Sequence, residues 1–519
     1  MLKKFIILLI FIPLLSQNSF LKRDFSYRRI LAPRASFYLA TSDGRPISLE
    51  YGQFPDKELY LRFLNPQEIK EAAINFAARI GSADDFLKIL LTLGALRQYQ
   101  AREITLILED WTPFSEEDYL LISIFRIFAD KVCLAYTQTK ETYFLPIKPI
   151  TLQEKVTGPI HIDYVTYLTP RFKPTVEEAV SRLQDAESAF IKVSQDFSGH
   201  WEVSLPFNLV GKNVVIIHST ENSENILSLI LTSALMRLKG VKTVSLINTY
   251  QGYSRQDKEF KEGECISSYI LLKVLNSLLD HNFTVNVHYG KKSGLIDLSP
   301  EVWITDDEAN RQTLNVLTPQ AVYNLNGFVQ LAEGLLGIIK KEQGITDLRS
   351  LPLLLISPDD GSFFYVKEAV SVLRDRYGIE AISGYLNKER LGSSEVVITG
   401  EILENDGRPL TFPYSLKDYY IFILDDETST GSTIKSAVYH LVEKLGIDYN
   451  KIYAGVVHGK FSLGTEEFYK LKDKEMLPQV LVTLDTLEVP EGIKTISSSA
   501  LIAYCIKRIL GLTEPIRSP

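Results

Sequence analysis

The sequence is poor in cysteine, which excludes two classes of small stabilising site. It holds three cysteines in 519 residues, Cys133, Cys265 and Cys505. An odd number at such wide spacing gives neither a disulfide framework nor a zinc-ligand pattern. We therefore expect reduced, structural cysteines, as in a cytosolic protein.

A surplus of basic charge is also missing. The 56 Lys and Arg residues face 64 Asp and Glu residues, which leaves a formal net charge of −8. This balance gives no indication of a nucleic-acid-binding surface. With 45% hydrophobic and 23% charged residues, the composition is that of an ordinary globular protein. A chain of this length is expected to form about two to four domains with large cores.

One long apolar run exists, at the N-terminus. The stretch MLKKFIILLIFIPLLSQNSF has two lysines, an apolar run over residues 5–15 and then polar residues, which is the layout of a secretory signal. The run is short for a spanning helix, and no small-x-small cleavage site follows. An export signal, a membrane anchor, a packed apolar extension and a misassigned start all remain open for residues 1–32.

The remainder alternates apolar strands with helical patterns, and this alternation indicates an α/β fold. Helical periodicity fills the intervals between the strands. The predicted strands are VVIIH (214–218), TVSLI (243–247), LLLIS (353–357), IFILD (421–425) and IYAGVVH (452–458).

Two segments about 140 residues apart can be laid on each other, which predicts an internal duplication. ALRQYQAREITLILEDWTPFSEED begins at Ala95, and ALMRLKGVKTVSLINTYQGYSRQD begins at Ala234. Each reads as a helix end, a basic turn, a strand and a loop with an aromatic residue. Phenylalanine-centred stretches stand upstream, at Phe54 and Phe197. The alternative is two unrelated βα units.

The two copies differ where chemistry would matter. Aligned without gaps, residues 255–257 (Arg-Gln-Asp) fall opposite residues 116–118 (Glu-Glu-Asp). A guanidinium can hold a phosphate, whereas a carboxylate repels one. The first copy is therefore not expected to bind a nucleotide phosphate at that loop.

The stretch LDDETSTGST, residues 424–433, joins a buried strand to a helix. Ile434, Val438 and Leu441 begin the apolar face of that helix. A loop at a helix N-terminus offers backbone N–H groups and hydroxyls to a phosphate. Two aspartates at the carboxyl end of a strand suit sugar hydroxyls or a metal.

Four further stretches carry candidate chemistry, and each also has a plain structural interpretation. The first, third and fourth can be solvated loops, and His288 in the second can be structural. A planar guanidinium favours a nucleotide contact in the first, and a mobile loop that closes over a phosphate is the functional hypothesis for the fourth. The stretches are YSRQDKEFKEGECIS (253–267), VNVHYGKKSGLIDLSPE (285–301), SPDDGSFF (357–364) and NKERLGSSE (387–395).

Taken in order, these stretches resemble the ribose-phosphate pyrophosphokinase (phosphoribosyl pyrophosphate synthetase) family over roughly residues 185–465. LDDETSTGST is similar to the ribose-5-phosphate loop that this family shares with type I phosphoribosyltransferases. YSRQDKEFKEGECIS closely resembles the family's ATP-binding stretch and is the most specific of the matches. The resemblance implies an α/β fold of tandem type I phosphoribosyltransferase-like domains, with parallel sheets flanked by helices.

The resemblance also implies an activity and a set of roles. Ribose 5-phosphate would attack the β-phosphorus of ATP to give AMP and phosphoribosyl pyrophosphate, with Mg²⁺ as cofactor. Lys388 and Arg390 would be catalytic. The other implied groups are Arg255, Gln256 and Asp257 for ATP; Asp425, Asp426, Ser429, Thr430, Gly431, Ser432 and Thr433 for ribose 5-phosphate; Asp359, Asp360, Gly361 and Ser362 for pyrophosphate; and His288, Asp359, Asp297 and Glu301 for the metal.

Several positions depart from the family pattern. Asn286 replaces an acid and Lys291 a glutamine in the metal stretch, and both changes should weaken a magnesium site. The family's F-x-D-G-E adenine loop is poorly kept at Phe197 but survives in the first copy, where Asp56 and Glu58 follow Phe54. In the family this loop reaches into a neighbouring subunit. The first copy is therefore either a built-in neighbour that lends Asp56 and Glu58 to the ATP site, or a structural or dimerisation domain.

These observations predict a signal-like or anchor segment (1–32), a degenerate copy (33–155), a synthetase N-terminal domain (156–305) and a phosphoribosyltransferase-like domain (306–519). We expect a cytoplasmic homo-oligomer that acts on ATP and ribose 5-phosphate, without nucleic acid. Membrane contact or export would depend on the N-terminal run alone. Two alternatives stay open: a non-catalytic homologue that regulates an authentic synthetase, and a phosphoribosyltransferase.

Overall fold

The computed structural model of the chain arranges its described residues in three units, each built around one β-sheet. We name them the first unit (37–145), the second unit (160–325) and the third unit (327–511). Within the described part of the chain, no helix is long and apolar enough to cross a membrane. The described residues are 37–54, 56–113, 115–136, 139, 141–145, 160–181, 183, 186–195, 200–205, 208–290, 292–296, 322–390, 396–462, 477–489, 491–509 and 511.

The first unit holds a five-stranded sheet, a separate hairpin and two helices. Its elements are β1 (Phe37–Thr41), β2 (Leu49–Gln53), β3 (Leu59–Phe63), β4 (Ala73–Ala78), α1 (Ala83–Gln98), β5 (Glu103–Glu109), α2 (Glu116–Phe125), β6 (Lys131–Tyr136) and β7 (Glu141–Leu145). The sheet order is β1-β4-β5-β6-β7, with β4, β5 and β6 parallel and both outer strands antiparallel. Strands β2 and β3 form the antiparallel hairpin.

The second unit holds a seven-stranded sheet and a second hairpin. Its elements are β8 (Tyr164–Tyr167), α3 (Lys173–Ser181), β9 (Glu187–Phe190), β10 (Lys192–Gln195), β11 (Trp201–Ser204), β12 (Asn213–His218), α4 (Ser223–Leu238), β13 (Thr243–Asn248), α5 (Ser267–Leu278), β14 (His281–Val285), β15 (Gly294–Ile296) and β16 (Val322–Leu325). The sheet order is β15-β16-β14-β13-β12-β8-β9, parallel except for β15. Strands β10 and β11 pair as the hairpin.

The third unit holds another seven-stranded sheet. Its elements are α6 (Gly327–Gln343), β17 (Leu353–Ser357), α7 (Phe363–Tyr377), β18 (Ala381–Arg390), β19 (Val396–Leu403), β20 (Tyr420–Thr428), α8 (Ser432–Tyr439), β21 (Ile452–Gly459), β22 (Val480–Leu484), β23 (Lys494–Ile496) and α9 (Ser499–Ile509). The sheet order is β19-β18-β17-β20-β21-β22-β23, parallel except for β19. The α/β prediction is confirmed.

The central strands are buried on both sides, as their continuous apolar runs predict for parallel sheets. Every residue of β12, β13 and β21 is buried. One hydrophobic core joins the first unit to the second, and another joins the second unit to the third. At the first of these contacts, a Cβ on Gly94 of α1 would lie 2.6 Å from the side chain of Ile270 in α5. The two units therefore pack with almost no space between their helices.

The first and second units repeat one polar contact, which connects the end of a helix to the following strands. In the first unit, Arg97 pairs with Asp130 at 2.7 Å, and the same carboxylate oxygen accepts a main-chain N–H of β5 at 2.6 Å. In the second unit, Arg237 pairs with Asp280 at 2.7 Å, and that oxygen accepts a main-chain N–H of β13 at 2.7 Å. Both arginines also donate from Nε to a main-chain carbonyl. The interpretation of the first unit as a copy of the second stays a prediction, which this matched contact supports.

Three expectations from the sequence need correction. Strand β16 lies beyond the predicted domain boundary at residue 305, yet it pairs with β14 in the second sheet. Residues 116–118 are not a loop opposite Arg255, because they form the first turn of α2, with a capping box from Ser115. Residues 387–390 are not a loop, because they pair with β19 as the end of β18. An ungapped alignment and polar composition are poor guides at the last two places.

The three cysteines are buried and free of disulfides, as their spacing predicts. Burial raises the pKa of the Cys133 thiol to about 11 and that of the Cys265 thiol to about 12. Such thiols carry little thiolate at neutral pH and are chemically quiet.

Candidate active site

The carboxyl end of β20 carries the acids and the turn of LDDETSTGST. The apolar stretch from Ile421 to Leu424 is fully buried, and the strand continues to Thr428. Gly431 then adopts a left-handed φ of 79° and donates its N–H to Thr428 Oγ1 at 3.1 Å. Helix α8 begins at Ser432. The turn therefore sets partly exposed hydroxyls and a helix N-terminus side by side, which is a suitable site for a phosphate.

Asp426 faces a histidine from the second unit. Its Oδ2 atom lies 3.2 Å from Nδ1 of His288, and Asp425 Oδ1 accepts the N–H of Asp426 at 3.1 Å. Burial alone would raise the pKa of Asp426, but the hydrogen bond and charge of His288, with Arg255, lower it well below its usual range. Partial desolvation lowers the pKa of His288, but its bond to Asp426 outweighs this and raises the pKa overall. The contact therefore favours the protonated form of His288 and the ionised form of Asp426.

Arg255 reaches the same region from the loop between β13 and α5. Its Nη1 atom lies 3.5 Å from Oε1 of Glu427, while its Nε is buried and has no hydrogen-bond partner within the described structure. Burial lowers the pKa of Arg255, but Glu427 and Asp426 raise it, so the group stays charged. The guanidinium is thus placed beside the sugar-phosphate loop and retains bonding capacity for a ligand.

Gln256 is already occupied within the protein. Its Nε2 atom donates to Glu58 Oε2 at 3.3 Å and to Leu59 O at 3.2 Å, and its Oε1 accepts from Ser267 at 2.7 Å. The residue is 8% exposed. Its amide holds the first unit against the loop rather than facing open space. Asp257 is partly exposed and lies close enough to Tyr289 to help raise that residue's pKa.

The hairpin of the first unit forms the opposite wall. Phe63 N donates to Gly263 O at 2.8 Å, and Cys265 N donates to Leu61 O at 3.0 Å, so β3 extends onto the 253–267 stretch. At the hairpin loop, Glu58 is 4% exposed and its Oε1 accepts the N–H of Tyr253 at 2.8 Å. The structure thus brings the predicted Glu58 directly to the Arg255 loop.

A lysine that the sequence analysis missed connects all of these segments. Lys460 follows β21, and its Nζ lies 2.7 Å from Asp56 Oδ2, 3.1 Å from Glu427 Oε1 and 3.3 Å from Glu58 Oε1. It also lies 4.9 Å from the ring centroid of Tyr250. Burial lowers the pKa of Lys460, but the three carboxylates raise it above its usual value. The ammonium group therefore stays protonated at the meeting point of all three units.

The pKa values of two carboxylates around Lys460, Glu58 and Glu427, are shifted in opposite directions. Burial raises the pKa of Glu58 despite the opposing charge of Lys460. Burial also acts to raise the pKa of Glu427, but Arg255 and Lys460 lower it overall. Neighbouring His458 is buried, which lowers its pKa to about 4 and leaves the ring neutral. Glu427 is consequently the firmly charged carboxylate between the two cations.

A cavity of about 650 Å³ opens between the hairpin and the Arg255 loop. Its rim carries two large exposed aromatic side chains, Phe54 at 42% and Phe260 at 65%. Lys258 lies 5.0 Å above the Phe260 ring, and Ser429 of the sugar-phosphate turn lines the same cavity. Aromatic faces beside cations and hydroxyls form a surface that suits a stacked base with a phosphate chain.

Comparisons with known proteins agree with this arrangement. A family model for the N-terminal domain of ribose phosphate pyrophosphokinase matches residues 166–278. Ribose-phosphate pyrophosphokinase from Thermoplasma acidophilum is 27% identical over 270 residues, which cover 52% of this chain and 75% of that protein. Ribose-phosphate pyrophosphokinase 2 from Archaeoglobus fulgidus is 27% identical over 274 residues, covering 53% and 79%. Over these residues the chain is similar to the ribose-phosphate pyrophosphokinase family.

One solved structure is also similar to this chain. Phosphoribosylpyrophosphate synthetase from Mycobacterium smegmatis aligns with a TM-score of 0.48 and 16% identity, covering 68% of this chain and all of that one. The family-model match begins within β8 and ends with α5, so it includes the Arg255 loop and leaves out the first unit.

The remaining pyrophosphokinase residues predicted from the sequence are only partly placed. Asp359 to Ser362 form the loop between β17 and α7, where Asp359 Oδ1 accepts the N–H of Gly361 at 3.1 Å. Ser362 Oγ is buried and has no hydrogen-bond partner in the described part of the chain. Asp360 is exposed in the same loop. Lys388 and Arg390 lie on β18, opposite Ile398 and Val396 of β19.

The metal prediction is tested only in part. Among the described residues, no three His, Cys, Asp or Glu side chains converge as metal ligands. Asp297, Glu301 and Lys291 lie outside the described residues. Asn286 does not face the His288 side chain, because its Oδ1 accepts the N–H of Gly327 at 2.6 Å and the residue is 2% exposed. The Asn286 side chain is therefore engaged in the core of the described structure.

Proposed function

We propose that the chain is a ribose-phosphate diphosphokinase, which transfers the pyrophosphoryl group of ATP to ribose 5-phosphate. The observation that carries this proposal is the meeting of two loops at one cavity. Arg255, from the family's nucleotide stretch, lies 3.5 Å from Glu427, next to the acids of the phosphoribosyl loop. Two substrates bound at these loops would have their reacting groups side by side, and such placement is a large part of catalysis.

The reaction is a displacement at phosphorus. The anomeric oxygen of ribose 5-phosphate forms a bond to the β-phosphorus of ATP. The bond from that phosphorus to the oxygen bridging to the α-phosphate breaks, and AMP leaves with this oxygen and its electron pair. The proton of the anomeric hydroxyl is released, and phosphoribosyl pyrophosphate remains. Catalysis of such a transfer rests on positioning and on neutralising charge.

On the sugar side, Asp425 and Asp426 hold the ribose hydroxyls as acceptors. The turn from Ser429 to Thr433 wraps the 5-phosphate with hydroxyls and the N–H groups at the start of α8. Asp359 to Ser362, at the next strand along the sheet, hold the pyrophosphate. This assignment follows from the position of both turns after neighbouring strands, β20 and β17.

On the nucleotide side, Arg255 and Asp257 contact ATP, and the first unit acts as a built-in neighbour. Its hairpin loop supplies Asp56 and Glu58 at the rim of the cavity. The main support is the main-chain pairing of β3 with the 253–267 stretch, which fixes this loop at the Arg255 site. Gln256 contributes by holding the hairpin, since its amide is already used there.

Magnesium fits the carboxylate oxygens of this region, and His288 would join them only as a neutral imidazole, once Asp426 no longer holds its proton. His288 and Asp426 lie 3.2 Å apart, and Mg²⁺ in proteins takes one or two carboxylates with substrate phosphates and water completing its shell. We assign His288 and Asp359 to the ion, with Asp297 and Glu301 as further candidates. Bound there with ATP, it would neutralise charge on the transferred phosphates.

Turnover tests the proposal directly. The purified chain is incubated with ATP, Mg²⁺ and ribose 5-phosphate, and products are followed by phosphorus NMR. The expected result is AMP and phosphoribosyl pyrophosphate, both absent with Lys388→Ala, because Lys388 would neutralise transition-state charge with help from Arg390. Bound ribose 5-phosphate without product would contradict the proposal.

One observation favours a second candidate, a non-catalytic homologue that regulates or assembles with an authentic synthetase. Arg255 already faces an internal carboxylate, Glu427, which competes with a nucleotide phosphate. ATP binding without turnover, together with altered activity of an added synthetase from the same source, would favour this candidate.

Assembly and location form part of the proposal. We assign the protein to the cytoplasm, because ATP and ribose 5-phosphate are cytosolic, and we expect a homo-oligomer without nucleic acid. Residues 1–32 give the alternative of a membrane-anchored or exported protein. A fusion of residues 1–32 to a reporter distinguishes these locations.

A further inference from the structure

The carboxylates around Lys460 outnumber the cations that contact them, and the departure of Arg255 would widen this excess. Asp56, Glu58 and Glu427 supply three carboxylates, and Lys460 and Arg255 are the cations in contact with them. The Lys460 side chain is 9% exposed and that of Glu427 is 3% exposed. Removing one member of such a buried set leaves the others uncompensated, which costs free energy.

The two cations hold Glu427 with unequal strength. Lys460 Nζ lies 3.1 Å from Glu427 Oε1, whereas Arg255 Nη1 lies 3.5 Å from the same atom. Arg255 Nε is buried without a partner in the described structure, and the Arg255 side chain is 40% exposed. Arg255 is therefore the looser partner and the one with access to the cavity.

The network spans the whole site. Asp56 and Glu58 belong to the first unit, Arg255 to the second, and Glu427 and Lys460 to the third. Strand pairing aligns Thr428 with Gly459, so Glu427 and Lys460 stand one residue to either side of that pair. Tyr250 adds hydrogen bonds to Glu58 at 3.3 Å and to Glu427 at 3.4 Å.

We propose that Lys460 is a positioning residue that keeps Glu427 neutralised, so that Arg255 can exchange this carboxylate for the phosphates of the nucleotide. This inference rests on the proposed nucleotide site at Arg255. Without Lys460, Glu427 would depend on Arg255 alone and would retain it. Nucleotide binding would then compete with an internal ion pair, while the ribose-5-phosphate turn would be little affected.

The exchange predicts opposite effects for two single variants. Lys460→Met raises the dissociation constant of ATP by about fivefold or more, the lower end of ordinary coupling between sites. Glu427→Gln lowers it by a similar factor, because Arg255 is released and one negative charge is removed from the path of a polyanion. The double variant returns to within about twofold of the parent protein, because the carboxylate that captured Arg255 is gone.

Calorimetric titration of the full chain and its variants tests the exchange by measuring two dissociation constants, one for ATP and one for ribose 5-phosphate. The matched control is Lys494→Met, which removes the lysine of an exposed pair with Glu342 at 2.8 Å and should change neither constant. A Glu427→Gln protein that binds ATP more weakly, or a double variant as weak as Lys460→Met, would overturn the exchange. A purely structural role for the network predicts this weakening.

Two outcomes separate this inference from the proposed function. If the parent chain binds no ATP, the nucleotide site and the exchange both fail. If the parent binds ATP and all variants bind it equally, the exchange alone fails. Should Lys460→Met not fold, Glu427→Gln still decides the matter, because it preserves the shape of the side chain and leaves Lys460 paired with Asp56 and Glu58.

Discussion

The first and second units differ in the length of one strand-to-helix connection. In the second unit, the connection from β13 to α5 runs over residues 249–266 and forms one wall of the cavity. In the first unit, the connection from β5 to α2 takes only residues 110–115. The packing contact beside this connection is the same in both units: Arg97 pairs with Asp130 in the first, and Arg237 pairs with Asp280 in the second. We call this repeated contact the shared frame. If the first unit is a copy of the second, as proposed, the packing contact is kept while the loop at the proposed nucleotide site differs in length.

The hairpins of the two units show the same contrast. The β2–β3 hairpin reaches the long loop of the second unit and leaves a cavity. The β10–β11 hairpin reaches the first turn of α2, where His200 Nδ1 lies 2.9 Å from Asp118 Oδ2 and Val203 N donates to Glu117 at 3.3 Å. Asp118 is 1% exposed and also completes the capping box with Ser115. The first turn of α2 is therefore in contact with this hairpin of the second unit, through His200 and Val203.

The largest expected effect concerns the shared frame. Arg237→Ala should lower the unfolding free energy by about 3 kcal/mol, because it strands a buried carboxylate. Arg97→Ala should cost about 1 kcal/mol, because its partner is more exposed. Asp280 is 2% exposed and Asp130 is 42% exposed. Urea denaturation measures both, and equal losses would contradict the idea that the second unit depends more on this contact.

The next largest effect concerns ATP use, and it distinguishes the Arg255 loop of the second unit from the matching position in the first unit. Arg255→Ala should lower kcat/KM for ATP by about 30-fold, which corresponds to ~2 kcal/mol for a lost charged contact. The matched change at the first-unit end, Glu117→Ala, should leave kcat/KM unchanged. Steady-state kinetics with varied ATP provide the measurement. If Glu117→Ala lowered kcat/KM for ATP by a similar factor, the nucleotide would bind near α2 of the first unit, which would contradict the proposed site at Arg255.

A smaller effect tests the hairpin as a built-in neighbour. Changing Asp56 and Glu58 together to Ala should raise the KM for ATP by about tenfold, which corresponds to ~1.4 kcal/mol. His200→Ala, in the other hairpin, is the control and should leave the KM for ATP as it is. An unchanged KM in the Asp56 and Glu58 variant would make the first unit a structural or dimerisation element.

The smallest effect is a pH dependence at His288. Its pKa is raised in the folded protein, so the pair with Asp426 stabilises most fully below the ordinary histidine value and is lost as pH rises through the raised pKa. The lowered pKa of Asp426 keeps that carboxylate charged throughout this range. Unfolding followed between pH 6 and 9 should show a decline in the parent that Asp426→Asn lacks. Parallel curves would show that the pair does not contribute to stability.

Much of the fold was predictable because buried parallel strands leave continuous apolar runs. The stretches 214–218, 243–247, 353–357, 421–425 and 452–458 all fall on strands of the structure. The strand-turn-helix at residues 424–433 was predictable for the same reason, combined with a left-handed Gly431 that closes the turn. Local patterns carry this information, so no long-range contact was needed.

The misses have a common physical cause. Lys460 reads as a solvated residue after a strand, and only the folded chain brings Asp56 and Glu58 to it across about 400 positions of sequence. The arm of β18 at residues 387–390 reads as a loop because its polar residues give no apolar strand pattern. An alignment without gaps concealed the different lengths of the two connections, 110–115 and 249–266. Each error concerns a contact or a loop length that local composition does not encode.

The central claim is that ATP binds at the second-unit end of the shared frame and contacts the first-unit hairpin of the same chain. Photolabelling of the full chain with 8-azido-ATP, followed by peptide mapping, tests it most directly. The account predicts label on peptides around Phe54 and on the stretch 253–267, reduced by excess ATP and lost in Arg255→Ala. Label concentrated around residues 110–120, or spread without protection by ATP, would contradict it.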